Sequence, residues 1–248
     1  MEKKNIIIIG IVVVVVAIAV GVAMFTTNKS TGPVTSFDTE FMSGAFTGNV
    51  DKSNETNQSY MASFEDKENN ITYNLTTMDD AESLMKIYKF QGIKGPDERT
   101  YNGNKWNIYY GEAMPMVNNS TNQTSNESMG IVICECQKEK QGYVINIIFN
   151  DPKKVNFTLN TFGESYTKYV EPLLKSASLK ESNNVPSISE QFGLSKDEFN
   201  KQLELIHQVE SGNYSGSKWI WKSQFFMQMN VIEKNALLSN WRRWRNAV

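Results

Sequence analysis

Twenty consecutive residues near the start of the chain, Ile6 to Phe25, carry no charge and are nearly all apolar, with Ile6-Ile7-Ile8-Ile9 and Val12 through Val16 as the densest blocks. A helix of that length, at about 1.5 Å per residue, matches the roughly 30 Å hydrocarbon core of a bilayer. Gly10 and Gly21 do not weaken this reading, because in lipid the helix backbone has no competing partner. Lys3, Lys4 and the α-amino group precede the run and only Lys29 follows closely, so the bias of positive charge sets the N-terminus in the cytoplasm. The competing reading is a cleaved signal peptide, whose apolar region would normally span about 7–15 residues. The small-x-small triplet Ala17-Ile18-Ala19 lies inside the run, not after it, which favours a retained anchor. Both readings export the remainder; the expected location is the cell membrane, single-pass, with the bulk of the chain extracytoplasmic.

Export agrees with the acceptor motif Asn-X-Ser/Thr, which occurs at Asn28, Asn54, Asn57, Asn70, Asn74, Asn118, Asn119, Asn122, Asn126, Asn156 and Asn213. Chance pairing of this chain's Asn with its Ser and Thr would give about four such motifs under the acceptor rule. The excess points to a glycosylated outer surface; the plainer alternative is that polar loops of an Asn-rich chain cluster these residues anyway.

After the apolar run, 218 of the 248 residues remain, enough for one ordinary domain and a smaller appendage. Residues 26–36 read as a Thr/Ser/Gly/Pro-rich stalk. Phe41 to Val50 is a weak first strand, while Ser59–Asp66 and Ile71–Thr77 alternate apolar and polar around the turn Lys67-Glu68-Asn69-Asn70 and read as a hairpin. Asp79-Asp80 starts a helix carrying Ala81, Leu84, Ile87 and Tyr88, with Gly92 as its stop. Asn102-Gly103 signals a tight hairpin leading into a strand over 105–110. The low-complexity stretch 118–128 carries four of the acceptor motifs and reads as an exposed insertion.

Gly130–Gln137 and Tyr143–Asn150 are expected to pair with Gln137 opposite Gly142. That register sets Cys136 against Tyr143, Cys134 against Ile145 and Val132 against Ile147, gathering apolar groups on one face. A helix from about Thr161 is expected to carry Phe162, Tyr166, Tyr169, Val170 and Leu173, kinked or split at Pro172. Glu181–Ser187 reads as a linker, and Ser195-Lys196-Asp197-Glu198 as a capping box opening an amphipathic helix with Phe199, Leu203, Ile206 and Val209 on one side.

The expected class is α+β: an N-terminal transmembrane helix, an antiparallel sheet with flanking helices, and a helical C-terminal extension. The expected divisions are residues 1–25, the cytoplasmic tip and anchor; 26–36, the stalk; 37–180, the extracytoplasmic domain; 181–217, the linker and amphipathic helix; and 218–248, a basic tail.

Chemistry-bearing signals are sparse. Cys134 and Cys136 point to one face of a strand with Cα atoms about 6.6 Å apart by strand rise, so a local disulfide would require a bulge. Buried core thiols are the favoured reading, with a disulfide or a redox pair as alternatives. His207 reads as a structural residue on its helix, and Asp79, Asp80 and Glu82 as a solvated helix start instead of a calcium site. No phosphate-cradling loop, nucleophile elbow or His-Glu-x-x-His pattern is present, and no metal or cofactor is expected. A net charge of −2 disfavours nucleic acid as a partner.

The tail holds four of the five Trp, namely Trp219, Trp221, Trp241 and Trp244, with Lys218, Lys222, Lys234, Arg242, Arg243 and Arg245 set against the single acid Glu233. It reads as an interface that docks on the acidic domain or lies on lipid, or else as an extension without selected function.

The order of elements in residues 40–180 resembles a PsbP-like domain, with its 79–90 helix, 106–110 strand, Gly142–Phe149 strand and closing segment Leu173-Leu174-Lys175-Ser176-Ala177-Ser178-Leu179. The stretch is also similar to uncharacterised, membrane-anchored, Asn-rich surface proteins of methanogenic archaea. The resemblance implies a compact antiparallel sheet flanked by helices and a largely non-enzymatic role. The anchor, the acceptor motifs and the missing catalytic constellation make a non-catalytic binding or envelope-structural module, with an envelope protein or the cell wall as partner, the leading expectation. The rival is an extracytoplasmic enzyme or small-ligand binder with its site in the sheet–helix cleft.

Overall fold

The structure, a computed structural model, describes residues 33–90, 92–113 and 129–212, apart from the side chains of 54–57 and 113. The apolar run, the 118–128 insertion and the basic tail lie outside the described residues. Among the described residues no helix is long and apolar enough to cross a membrane.

The chain forms an α+β fold on antiparallel sheets. The strands are β1 Val34–Asp38, β2 Met42–Thr47, β3 Asp51–Gln58, β4 Met61–Asp66, β5 Ile71–Met78, β6 Lys94–Tyr101, β7 Asn104–Ala113, β8 Met129–Lys138, β9 Gln141–Phe149 and the short β10 Ser178–Leu179. The helices are α1 Ala81–Phe90, a π turn Tyr166–Val170 running into α2 Glu171–Ser176, α3 Ile188–Gln191 and α4 Lys196–Glu210. Seven strands make the main sheet in the order β3-β4-β5-β9-β8-β7-β6, with every neighbour antiparallel. β1, β2 and β10 make a second, smaller sheet.

Strand alternation divides the apolar groups between the two faces of the main sheet. Tyr73, Leu75, Ile145, Ile147, Phe149, Val132, Cys134, Trp106 and Ile108 fill the first face, which is covered by the small sheet and by the helix of residues 166–176. Phe37 and Phe46 of the small sheet stack at 4.6 Å, and Phe46 reaches Phe64 at 5.0 Å and Tyr73 at 4.6 Å. Met78, Tyr109, Ile133 and Val144 belong to a second cluster with α1, α3 and α4, which contribute Leu84, Met85, Ile188, Phe199, Ile206 and Val209.

Several expectations are met residue by residue. Gln137 faces Gly142, Cys136 faces Tyr143, Cys134 faces Ile145 and Val132 faces Ile147. The Asn102-Gly103 turn has φ +49° and +72°, the left-handed pair that a two-residue hairpin requires. Asp80 caps α1, accepting from the Ser83 amide at 2.9 Å and the Ser83 hydroxyl at 2.6 Å. Ser195 and Glu198 form the capping box of α4.

Other expectations need correction. Residues 34–36, placed in the stalk, belong to β1, where Thr35 Oγ1 donates to the Gly48 carbonyl at 2.7 Å. The helix expected from Thr161 begins at 164, and Phe162 is 82% exposed, not packed. Pro172 splits the helix as anticipated, but through a π turn: the Glu171 amide bonds back to the Tyr166 carbonyl, five residues away, just before the residue that has no N–H to give. β3 and β6 are too polar to show apolar alternation, which hid them from the sequence; both lie at sheet edges, where neighbours on one side supply the pairing. The 181–187 linker is tied to the sheet end. Ser182 donates to Gln141 Oε1 at 3.1 Å, and the Asp79 amide donates to the Pro186 carbonyl at 3.2 Å.

Candidate functional site

Polar chemistry on the first face gathers where the π turn crosses the β6 end of the sheet. The hydroxyls of Tyr101 and Tyr166 lie 3.2 Å apart, and Tyr101 also donates to Glu171 Oε1 at 3.2 Å. Lys175 bridges back to Glu171 at 3.0 Å and sits 5.8 Å from the Tyr101 ring centre. Asn102 donates to the Lys175 carbonyl, pinning the hairpin tip to α2. Tyr166 and Tyr169 of the π turn are both buried against the first face. Alongside, Thr161 links Arg99 at 2.7 Å to Asp97 at 2.9 Å, and Arg99 lies 5.7 Å from the exposed Phe162 ring.

Burial pushes the Tyr166 phenol far up, with the Tyr101 hydroxyl adding to the effect, and burial raises Tyr101 as well. Both phenols are therefore neutral donors near pH 7, suited to hydrogen bonding and not to proton abstraction. Cys134 and Cys136 sit below them in the same core, buried and without a disulfide. Burial drives the Cys134 thiol well up and raises Cys136 to about 11, with Glu135 contributing to the latter. A thiol held protonated is neither nucleophile nor metal ligand.

On the second face a carboxyl that the sequence did not single out is sealed under α1. Glu135 is 2% exposed and accepts from Asn107 Nδ2 at 2.7 Å. Burial raises its pKa, the Asn107 hydrogen bond opposes that, and Glu82 and Asp80 of α1 add to the rise. The register showed that Glu135 leaves the first face; only the docking of α1 decides that it is buried on the other.

The remaining sequence candidates are dispersed. His207 is exposed on α4, and Asp79 Oδ1 caps α3 by accepting from the Ile188 amide at 2.8 Å. Among the described residues no group of three His, Cys, Asp or Glu side chains could hold a metal ion. Asn70 is exposed at the β4–β5 turn, and Asn156 is exposed beyond β9, donating to Glu164 Oε2 at 2.8 Å. Asn74 lies mid-strand in β5, half-buried, and accepts from the Ser63 hydroxyl at 2.7 Å. Asn54 and Asn57 fall on β3, with side chains outside the described set. Asn28, Asn118, Asn119, Asn122, Asn126, Asn213, Trp219, Trp221, Trp241, Arg242, Arg243, Trp244 and Arg245 lie outside the described residues.

No family model and no curated protein matches the chain. Among solved structures, a protein of Bacteroides thetaiotaomicron VPI-5482 is similar at 7% identity, over 74% of this chain and 71% of that one, with a TM-score of 0.37. A likeness that loose supports no transfer of function.

Proposed function

We propose that the chain is a membrane-anchored extracytoplasmic protein, held by the Ile6–Phe25 helix, whose domain serves a non-catalytic binding or envelope-structural role. The observation that carries this reading is the placement of its reactive groups: both thiols and the Tyr166 phenol are buried, Tyr101 is half-buried against them, and His207 stands exposed on a different face. A sheet covered on both faces also supports it. The basic tail, with its Trp and Arg residues, belongs to the same proposal as a contact to the domain or to lipid.

The second reading is a small-ligand binder or enzyme in the sheet–helix cleft, favoured by the convergence of Tyr101, Tyr166 and Glu171 under the π turn. One experiment tests the orientation that both readings share, and a second separates them. Protease added to intact cells should digest the domain, and full protection would reverse the orientation. Crosslinking in native membranes should capture an envelope protein or wall polymer; specific capture of a metabolite with no such partner would favour the cleft reading.

A further inference from the structure

Two acceptor motifs four residues apart, Asn70-Ile71-Thr72 and Asn74-Leu75-Thr76, meet opposite structural fates. Asn70 ends the β4–β5 turn at φ +57°, and its side chain is exposed. Its own carbonyl is already held, by the Asn150 amide at 3.0 Å and Asn150 Nδ2 at 3.2 Å, so the turn backbone is fixed while the side-chain amide faces solvent. Thr72, the hydroxyl partner of the motif, is half-buried at the start of β5, and its Oγ1 accepts from Asn150 Nδ2 at 3.2 Å. Asn74 lies in the middle of β5 between β4 and β9, and its Oδ1 is taken by Ser63. Thr76, which completes that motif, is 3% exposed. A third motif, Asn156-Phe157-Thr158, resembles the first: Asn156 is exposed at φ +49°, and Thr158 is exposed too.

From this contrast we propose that the folded domain carries N-linked glycans at Asn70 and Asn156 and excludes them from Asn74. The inference rests on the exported reading above. The co-reactant is a lipid-linked (pyro)phosphoryl oligosaccharide with its transferase. The side-chain Nδ2 forms a bond to the sugar anomeric carbon and the bond from that carbon to the phosphate oxygen breaks. The phosphate departs with the electron pair, and Nδ2 gives one proton to a transferase base. Nothing is oxidised or reduced. Nδ2 keeps one hydrogen, so Asn156 can remain a donor to Glu164. At Asn70 the product projects from the turn without displacing a hydrogen bond. At Asn74 a transferase can reach the motif, with its buried Thr76, only if β5 unpairs from β4 and β9, an opening that approaches global unfolding in cost.

The Asn70 side chain also has a plain structural explanation, since Asn tolerates the left-handed region better than other non-Gly residues. That explanation, with the Asn150–Thr72 hydrogen bond, requires no sugar at Asn70, and the test separates the two readings. The full chain is produced in cells with an N-glycosylating export route, and its glycopeptides are mapped beside those of Asn70→Gly, Asn156→Gln, Asn74→Gln and Thr72→Val. Asn70→Gly keeps the turn backbone, and Thr72→Val keeps Asn70 itself. Protease accessibility on intact cells is read from the same cultures.

Occupancy at Asn70 should exceed that at Asn74 by at least about tenfold, the ratio that a 1.4 kcal/mol opening cost already produces. Asn70→Gly and Thr72→Val should each remove one glycan, Asn156→Gln another, and Asn74→Gln none. Comparable occupancy at Asn74, or a bare Asn70 on a protease-accessible chain, overturns the site assignment while leaving export standing. A chain that is bare and protease-protected overturns both.

Discussion

Gly142 is the position where one added carbon should do most damage. It lies on β9, facing Met78 and Gln137 across the strands, at the point where the first turn of α1 comes down on the second face. A Cβ built there would stand 2.5 Å from Ala81 Cβ, 2.7 Å from Gln137 Oε1 and 2.9 Å from the Ala81 nitrogen. Carbon atoms in contact sit at about 3.5–4.0 Å, so Gly142→Ala must move helix from sheet by about 1 Å. Overpacking of this kind costs about 1–3 kcal/mol. The same shift strains the 3.1 Å hydrogen bond from the Ala81 amide to Gln137 Oε1, worth about 1 kcal/mol. Replacing glycine restricts the unfolded chain and returns about 0.4–1 kcal/mol. The net expectation is destabilisation by about 1–3.6 kcal/mol, or a Tm lower by about 2–14 °C for a domain of this size. Circular dichroism melts, with urea titrations to confirm an unchanged m-value, read this directly. Gly103→Ala separates the two causes, since its Cβ meets nothing within 4 Å and any loss there, about 1–2 kcal/mol, comes from its φ of +72° alone. A Gly142→Ala chain melting within about 1 °C of the parent would refute the docking of α1 on β9, because overpacking of even 1 kcal/mol should register.

Glu135→Gln should stabilise the chain at neutral pH. The folded state raises the pKa of this buried carboxyl, so it holds a proton that the unfolded state releases, and the parent loses stability as pH rises from the ordinary carboxylate range through the raised value. The amide keeps an acceptor for Asn107, so the variant should melt about 2–4 °C higher at pH 7 and match the parent near pH 3; equal melting at both pH values would sink the argument. Ser195→Ala removes the capping box of α4 and should cost about 1 kcal/mol, visible as faster amide exchange over 196–200 with little change in the central strands. Neither Cys134 nor Cys136 should react with a thiol reagent in the native chain, and both should react in urea; rapid native labelling of Cys136 would contradict its burial and its pKa of about 11.

Local signals carried the chain's hairpins and helix starts because each depends only on near neighbours. Asn102-Gly103 needs no tertiary partner to favour its turn, Ser195 and Glu198 close their own capping box, and the apolar pattern of β8 and β9 favours the register that gathers Val132, Cys134 and Cys136 with Tyr143, Ile145 and Ile147 on one face. Pro172 announced a broken helix for the same reason, since the missing N–H is a property of the residue. Sequence order could not show that β9 inserts between β5 and β8, or that the polar strands β3 and β6 cap the sheet edges, because pairing supplies hydrogen bonds without regard to side-chain hydrophobicity. Packing alone buried Glu135 beneath α1, left Phe162 in solvent and brought Tyr101 within 3.2 Å of Tyr166, 65 residues away in the chain. The acceptor motifs divide along the same line. Each Asn-X-Ser/Thr triplet is written in the sequence, but Asn70 and Asn74 differ only in what lies beside them: solvent for one, and β4 and β9 for the other.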